Sequence, residues 1–259
     1  MFNPKDRTLE GKKGLVTGIA NADSIAYGCA KAFQFLGAEL AVTYLNEKAM
    51  AYVEPLAREV EASIFMPLNV SVEGQLEAVF EKIEQRWGRL DFLLHSIAFA
   101  SKEDLHGRLA DCSRDGFLEA MDISCHSFIR MTRLAEPLMT NGGALFTMSY
   151  HGAEKVVEHY NVMGPVKAAL ECAVRYLAQE LGPKGIRVHA ISPGPLKTRA
   201  ASGLKHFDEL LDKAAQKAPA GRLVGIEDVG IATASLATDA AKLITGDTIY
   251  IDGGYHIIA

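Results

Sequence analysis

Tyr160 and Lys167 are the residues whose types and spacing suggest chemistry. Six residues separate them, in the run Tyr160-Asn161-Val162-Met163-Gly164-Pro165-Val166-Lys167. A phenol can donate a hydrogen bond to an oxygen that gains charge, and an ammonium can hold hydroxyl groups. On a helix, seven steps of about 100° bring both side chains back to nearly one face, roughly 10 Å apart along the axis. The chain also opens with a strand, a glycine and a helix. Together these features suggest nicotinamide-dependent reduction, with the lysine on the cofactor and the tyrosine reaching to a substrate. Tyr150 supplies a second phenol nearby. Pro165 lacks an N–H and fits best in the first helical turn, so either the helix starts after Tyr160 or it begins distorted.

Strand-like and helix-like segments alternate around these residues. Gly14–Thr17, Leu40–Tyr44, Ile64–Leu68, Leu90–His95, Leu145–Ser149, Ile186–Ile191 and Thr248–Ile251 read as seven buried strands. Pro67 suits an edge. Helices are expected over Ile25–Leu36 (closed by Gly37), Ala49–Val60, Leu76–Trp87, Gly116–Leu138 and about Asn161–Leu181. This rhythm predicts a single α/β domain over residues 1–259: a Rossmann-like, doubly wound, seven-stranded parallel sheet. Pro193 to Arg222 breaks the rhythm between strands six and seven. It is a candidate substrate-binding insertion, or lid, over approximately 193–222.

Composition narrows the function classes. The net charge is −5 with no basic stripe, which leaves no footprint for nucleic acid. No apolar run approaches the ~20 residues that span a bilayer, so no membrane insertion is expected. The N-terminus lacks the apolar core of a signal peptide. Cys29, Cys112, Cys125 and Cys172 form no C-x-x-C pair and read as free thiols in a reducing cytoplasm. The eight histidines include no H-x-x-x-H pair, so no metal site is expected.

Thr17-Gly18 after the first strand, and Ser24 at the start of the first helix, form a plausible phosphate cradle. A pyrophosphate needs N–H groups, a helix N-terminus and close backbone approach. The full G-x-G-x-x-G is missing, since only Gly18 and Gly28 are present; the simpler reading is a tight turn with Ser24 as N-cap. Asn69-Val70 and His95-Ser96-Ile97-Ala98, at later strand ends, lie where adenine and ribose rest in such folds. Ordinary strand-end capping explains either of them singly.

Longer motifs are more specific. Gly18-(five residues)-Ser24-Ile25-Ala26-Tyr27-Gly28, His95-Ser96-Ile97, Ser149-Tyr150-(x)-Gly152-Ala153-Glu154 and Tyr160-Asn161-Val162-Met163-Gly164-(x)-(x)-Lys167-Ala168 resemble the bacterial NADH-dependent enoyl-acyl-carrier-protein reductases. Ala190-Ile191-Ser192, Gly194-Pro195, Thr198, Ala200-Ala201-Ser202-Gly203 and Asp252-Gly253-Gly254 extend the likeness, from about Leu9 to Gly254. The resemblance implies hydride delivery from nicotinamide to the β-carbon of a trans-2-enoyl thioester in fatty-acid elongation. It implies that Tyr160 donates to the thioester carbonyl, Lys167 binds the nicotinamide ribose and Tyr150 lines the acyl site. Gly18, Ser24, Ile25, Asn69, Val70, Ile97, Leu196 and Thr198 match cofactor positions. Ala100, Met163 and Phe207 match acyl-site positions. It further implies NADH as cofactor, acyl carrier protein as partner, a homotetramer and a cytoplasmic location.

Some positions depart from that pattern. Leu45 replaces a polar residue near the adenosine ribose, which leaves NADPH open. Asn69 replaces an aspartate, Ala98 a glycine, Pro193 a small residue and His151 a leucine. Met163 and Phe207 could equally be core. Two other functions share the fold. One is a carbonyl reductase of the wider short-chain family, against which the absent Tyr-x-x-x-Lys argues. The other is a non-catalytic dinucleotide-binding sensor.

Overall fold

The computed structural model describes residues 7–196, 198 and 207–258. Its strands are β1 (Lys13–Thr17), β2 (Glu39–Tyr44), β3 (Ile64–Pro67), β4 (Phe92–His95), β5 (Gly143–Met148), β6 (Ile186–Pro193) and β7 (Thr248–Ile251). They form one parallel sheet in the order β3-β2-β1-β4-β5-β6-β7. The helices are α1 (Ile25–Phe35), α2 (Glu47–Glu59), α3 (Gln75–Trp87), α4 (Lys102–His106), α5 (Arg114–Met121), α6 (Ser127–Ala135), α7 (Met163–Leu181), α8 (Phe207–Lys217) and α9 (Ile226–Ala237).

Alternate strand residues feed two apolar layers, which is why the strands read as unbroken hydrophobic runs. Leu15, Leu93, Leu145 and Val188 face α3, α6 and α7 with Phe80, Phe128 and Leu170. Val16, Leu94, Phe146 and Ile191 face the opposite layer, with Phe33 of α1 and Val229 of α9. Pro67 sits in β3, an edge strand, where a missing N–H costs no ladder bond.

Chain direction across the sheet reverses between β1 and β4, the switch point at which such folds open a crevice. Gly18 and Ser96 leave those two strands and meet there. Gly18 has φ +93°, and a Cβ on it would lie 2.0 Å from the Ser96 carbonyl oxygen, so no side chain fits. Gly28 serves a different purpose. A Cβ there would lie 2.3 Å from the Ile226 carbonyl oxygen, and one on Gly230 would lie 2.3 Å from that of Gly28. These two glycines let α1 and α9 cross backbone to backbone, so Gly28 is a packing residue.

The structure adds detail to the expected elements. The helix expected over Gly116–Leu138 runs continuously from Arg114 to Leu138 as α5 and α6, joined through a π-turn over Asp122–His126 and closed by a 3₁₀ turn over Glu136–Leu138. Serine hydroxyls compete for backbone groups at the π-turn. Ser127 Oγ donates to Ile123 O at 2.6 Å, and Ser124 Oγ donates to Phe99 O at 3.1 Å and accepts from Phe99 N at 2.9 Å. Helix α7 starts at Met163 instead of about Asn161, with Pro165 in its first turn. The connection between β6 and β7 extends beyond Arg222 and contains a regular crossover helix, α9.

Arg187 explains how α9 ends. It is 8% exposed and donates to four carbonyls at that terminus: Leu236, Ala241 at 3.2 Å, and Ala237 and Thr238 at 3.4 Å. A methionine would fill the space but leave buried carbonyls unpaired. Arg187→Met is expected to lower unfolding stability by about 3 kcal/mol, read from the urea midpoint at unchanged denaturant slope.

Candidate active site

Tyr150 follows the exit of β5 in an extended conformation, with φ −158° and ψ 149°. Tyr160 lies in a turn before α7, not on the helix, because Pro165 forces the first turn to fall after it. The uniform two-turn separation from Lys167 therefore does not hold. His159 (φ 64°) and Asn161 (φ 36°) bracket Tyr160 in left-handed conformations that asparagine tolerates well. Asn161 Nδ2 donates to Leu105 O at 2.7 Å, which ties this turn to α4.

The two phenols meet. The rings of Tyr150 and Tyr160 are 5.0 Å apart, edge to face at 67°. Tyr150 Oη is buried without a hydrogen-bond partner among the described residues. Burial raises the pKa of both phenols; for Tyr160, the neighbouring Tyr150 and Glu171 add to the rise. Both are protonated at neutral pH, so each has an O–H available to donate.

Lys167 is 4% exposed, and its Nζ donates to Met148 O at 2.7 Å. An ammonium has three N–H donors, so two remain for a ligand. Burial lowers its pKa to about 8, against the raising influence of Cys125 and Glu171. Two consequences follow. Between about 8 and 10.5 the unfolded chain binds the proton that the folded chain has lost, so this group's cost to stability is present below 8 and relieved as pH rises. Conversely, the charge that would hold a ligand is lost above about 8. Dinucleotide affinity is expected to weaken progressively above that pH, measurable as a break in a Kd–pH plot.

His95 takes a structural place. It is fully buried, bonded through Nδ1 to Thr147 Oγ1 at 2.9 Å and through Nε2 to Ser127 Oγ at 2.8 Å. Ser127 spends its proton on Ile123 O, so it accepts from Nε2–H, and Thr147 donates to Nδ1. Burial, and then the charge of Lys167, lower its pKa to about 3. Since both ring nitrogens are used inside the core, His95 is not at hand for adenine or ribose.

Other expected positions gather around the switch point. Ser24 stands at the N-terminus of α1, but its side chain does not cap that helix. Its Oγ accepts from Ala20 N at 3.0 Å and Asn21 N at 3.1 Å, which shapes the loop instead. The first turn of α1 carries no acidic residue, which suits an anion there. Together with the Gly18–Ser96 cradle, this fits a pyrophosphate. Ile25 is partly buried beside it. Leu196 is 9% exposed in the same apolar layer as α1, and Thr198 N donates to Leu196 O at 2.8 Å. A cavity of about 460 Å³ runs between Ala22, Asp23, Pro195, Leu196 and Leu211 of α8.

At the other end of the crevice, Asn69 Oδ1 accepts from Ser71 N at 3.0 Å, and Val70 is 4% exposed with its carbonyl held by Arg130. Ile97, Ala100 and Tyr160 pack against the same core cluster that contains Met163, which is 5% exposed. Met163 is thus a core residue beneath the tyrosine turn. Phe207 opens α8, but its side chain lies outside the described residues, as does the Ala200-Ala201-Ser202-Gly203 run.

Sequence reasoning missed Glu171, which is 5% exposed, accepts from Ser149 Oγ and lies four residues after Lys167 on α7. That spacing was the available signal. It also missed the Asn161 tether, which follows from fold alone. Among the described residues, no cluster of His, Cys, Asp or Glu could hold a metal.

Comparison with known proteins shows the family. The family model described as Enoyl-(Acyl carrier protein) reductase matches residues 18–256. Enoyl-[acyl-carrier-protein] reductase [NADH] 1 of Rhizobium meliloti (strain 1021) is 46% identical over 250 residues, covering 96% of this chain and 92% of the relative. A crystal structure of the Anaplasma phagocytophilum reductase in complex with NAD superposes with a TM-score of 0.94 at 46% identity, covering 97% and 96% of the two chains. A Bacillus cereus enoyl-acyl carrier protein reductase with NADP+ and indole naphthyridinone gives a TM-score of 0.95 at 43% identity, covering 97% and 99%. With a seven-stranded sheet, a glycine cradle at its switch point, paired phenols and a buried lysine held at the exit of β5, the chain belongs to the enoyl-(acyl carrier protein) reductase family.

Proposed function

We propose that this chain reduces trans-2-enoyl thioesters carried by acyl carrier protein, with NADH as reductant, in fatty-acid elongation. The observation that carries the reading is the Tyr150–Tyr160 ring pair together with Lys167, which is buried and bonded to Met148 O, two residues before Tyr150. NADH, when bound, supplies the hydride for the β-carbon. The chain's own residues do the rest. Gly18, Ser24 and Ile25 hold the pyrophosphate, Asn69, Val70 and Ile97 line the adenosine side, and Leu196 and Thr198 close on the nicotinamide side. Lys167 gives its two remaining N–H donors to ribose hydroxyls. Tyr160 donates to the thioester oxygen, on which charge grows as the enolate forms, and so stabilises the transition state more than the ground state. Tyr150 assists and lines the acyl site with Ala100; Phe207 belongs to the same site. Residues 193–222 act as the lid of a single domain.

The relatives' names support NADH, while the Bacillus cereus complex with NADP+ supports a role for NADPH. Exposed Phe117, Leu118, Ile129 and Tyr176 on α5–α7 are compatible with the self-association that a homotetramer requires. A cytoplasmic location accords with the four free thiols, and no helix among the described residues is long and apolar enough to cross a membrane. An assay matrix tests the reading: NADH and NADPH against a crotonyl thioester and a simple ketone. Oxidation with the thioester alone is expected. Ketone reduction alone would identify a carbonyl reductase, and tight cofactor binding without any turnover a sensor.

A further inference from the structure

Glu171 is a buried carboxylate that the reaction proposed above does not use. Burying a carboxylate is costly unless hydrogen bonds satisfy it, and an apolar side chain would pack as well. Burial raises its pKa, and the bond from Ser149 opposes that rise. Its place explains its presence. Ser149 Oγ donates to Glu171 Oε1, and one turn earlier on α7 Lys167 Nζ donates to Met148 O. Met148 and Ser149 are consecutive at the exit of β5, and the next residue is Tyr150. Two successive turns of α7 thus grip two successive residues of the strand exit. From the other side, Ser149 N donates to Ile191 O of β6 at 2.7 Å. Past this clamp the chain leaves the sheet for a 3₁₀ turn over His151–Ala153. The direction in which Tyr150 departs, and hence its edge-to-face meeting with Tyr160, is set where Ser149 is held.

We propose that Glu171 is a positioning residue: its hydrogen bond with Ser149 holds the β5 exit so that Tyr150 and Tyr160 stay aligned with Lys167. The consequence for rate rests on the enoyl-reductase reading; the clamp itself does not. Misplacing a reacting group by a fraction of an ångström is enough to slow an oriented reaction strongly.

The test uses the full chain with Glu171→Leu, Glu171→Gln and Ser149→Ala. Measured are kcat and KM on a crotonyl thioester, NADH Kd, and backbone hydrogen exchange over residues 149–153. At about pH 6, where Lys167 keeps its charge without Glu171, Glu171→Leu is expected to lose about tenfold or more in kcat, with NADH Kd within about twofold and faster exchange in that segment. Glu171→Gln keeps an acceptor for Ser149 and should recover most of the lost kcat. Ser149→Ala removes the same bond with little change in packing and should repeat the loss, which keeps the test sound if Glu171→Leu fails to fold. Unchanged kcat and exchange in Ser149→Ala, or a loss in Glu171→Gln equal to that in Glu171→Leu, would overturn the proposal. A wild-type chain inactive on enoyl thioesters would sink the functional reading alone, and the exchange comparison would still decide the role of Glu171.

Discussion

Tyr160→Phe is expected to lower kcat on an enoyl thioester by about 10²- to 10³-fold while leaving NADH affinity within about twofold of wild type. Phenylalanine keeps the ring and its edge-to-face contact with Tyr150, so the turn before α7 is preserved. Only the donor is lost. The thioester oxygen is nearly neutral in the bound substrate and carries much of the charge once hydride reaches the β-carbon. A donor fixed at that oxygen therefore acts chiefly on the transition state. The raised pKa of Tyr160 ensures that the proton is present at neutral pH. Steady-state kinetics and direct cofactor titration separate the two quantities. A variant that loses cofactor affinity and kcat equally would contradict the assignment.

The complementary prediction concerns Lys167→Ala. NADH Kd should rise by about 100-fold, the scale expected for losing charge-assisted hydrogen bonds in a buried site. Lys167 is 4% exposed, so its ammonium faces little water that could compete with ribose hydroxyls. Removal also leaves Met148 O without its 2.7 Å partner and opens a cavity, so a lower melting temperature is expected as well. At saturating NADH much of kcat should return, because the alanine variant keeps Tyr160. Cofactor titration by fluorescence measures the affinity. Unchanged Kd with depressed kcat would move Lys167 from cofactor holding to the chemical step.

These two residues also show what a sequence reveals. Their types and context pointed to the chemistry, and the strands, as apolar runs, were legible to within two residues at each end. Their mutual geometry was less so. Pro165 signalled that the helix begins late, but only the fold shows Tyr160 in a turn braced by left-handed neighbours. The π-turn at Asp122–His126 was illegible because it depends on Ser124 and Ser127 finding carbonyls, one of them in another segment. His95 looked like a strand-end ligand, and its burial follows from packing partners far away in sequence. Gly28 looked like part of a phosphate motif, whereas its missing side chain makes room for α9, about 200 residues on.

The central claim is that this site delivers hydride to the β-carbon of an enoyl thioester. The most direct measurement incubates the chain with a crotonyl thioester and NADH deuterated at the transferable position, then locates the label in the product by mass spectrometry and NMR. The account predicts a saturated butyryl thioester with one deuterium on the β-carbon. Label at the carbonyl carbon, or no cofactor oxidation with either NADH or NADPH, would contradict it.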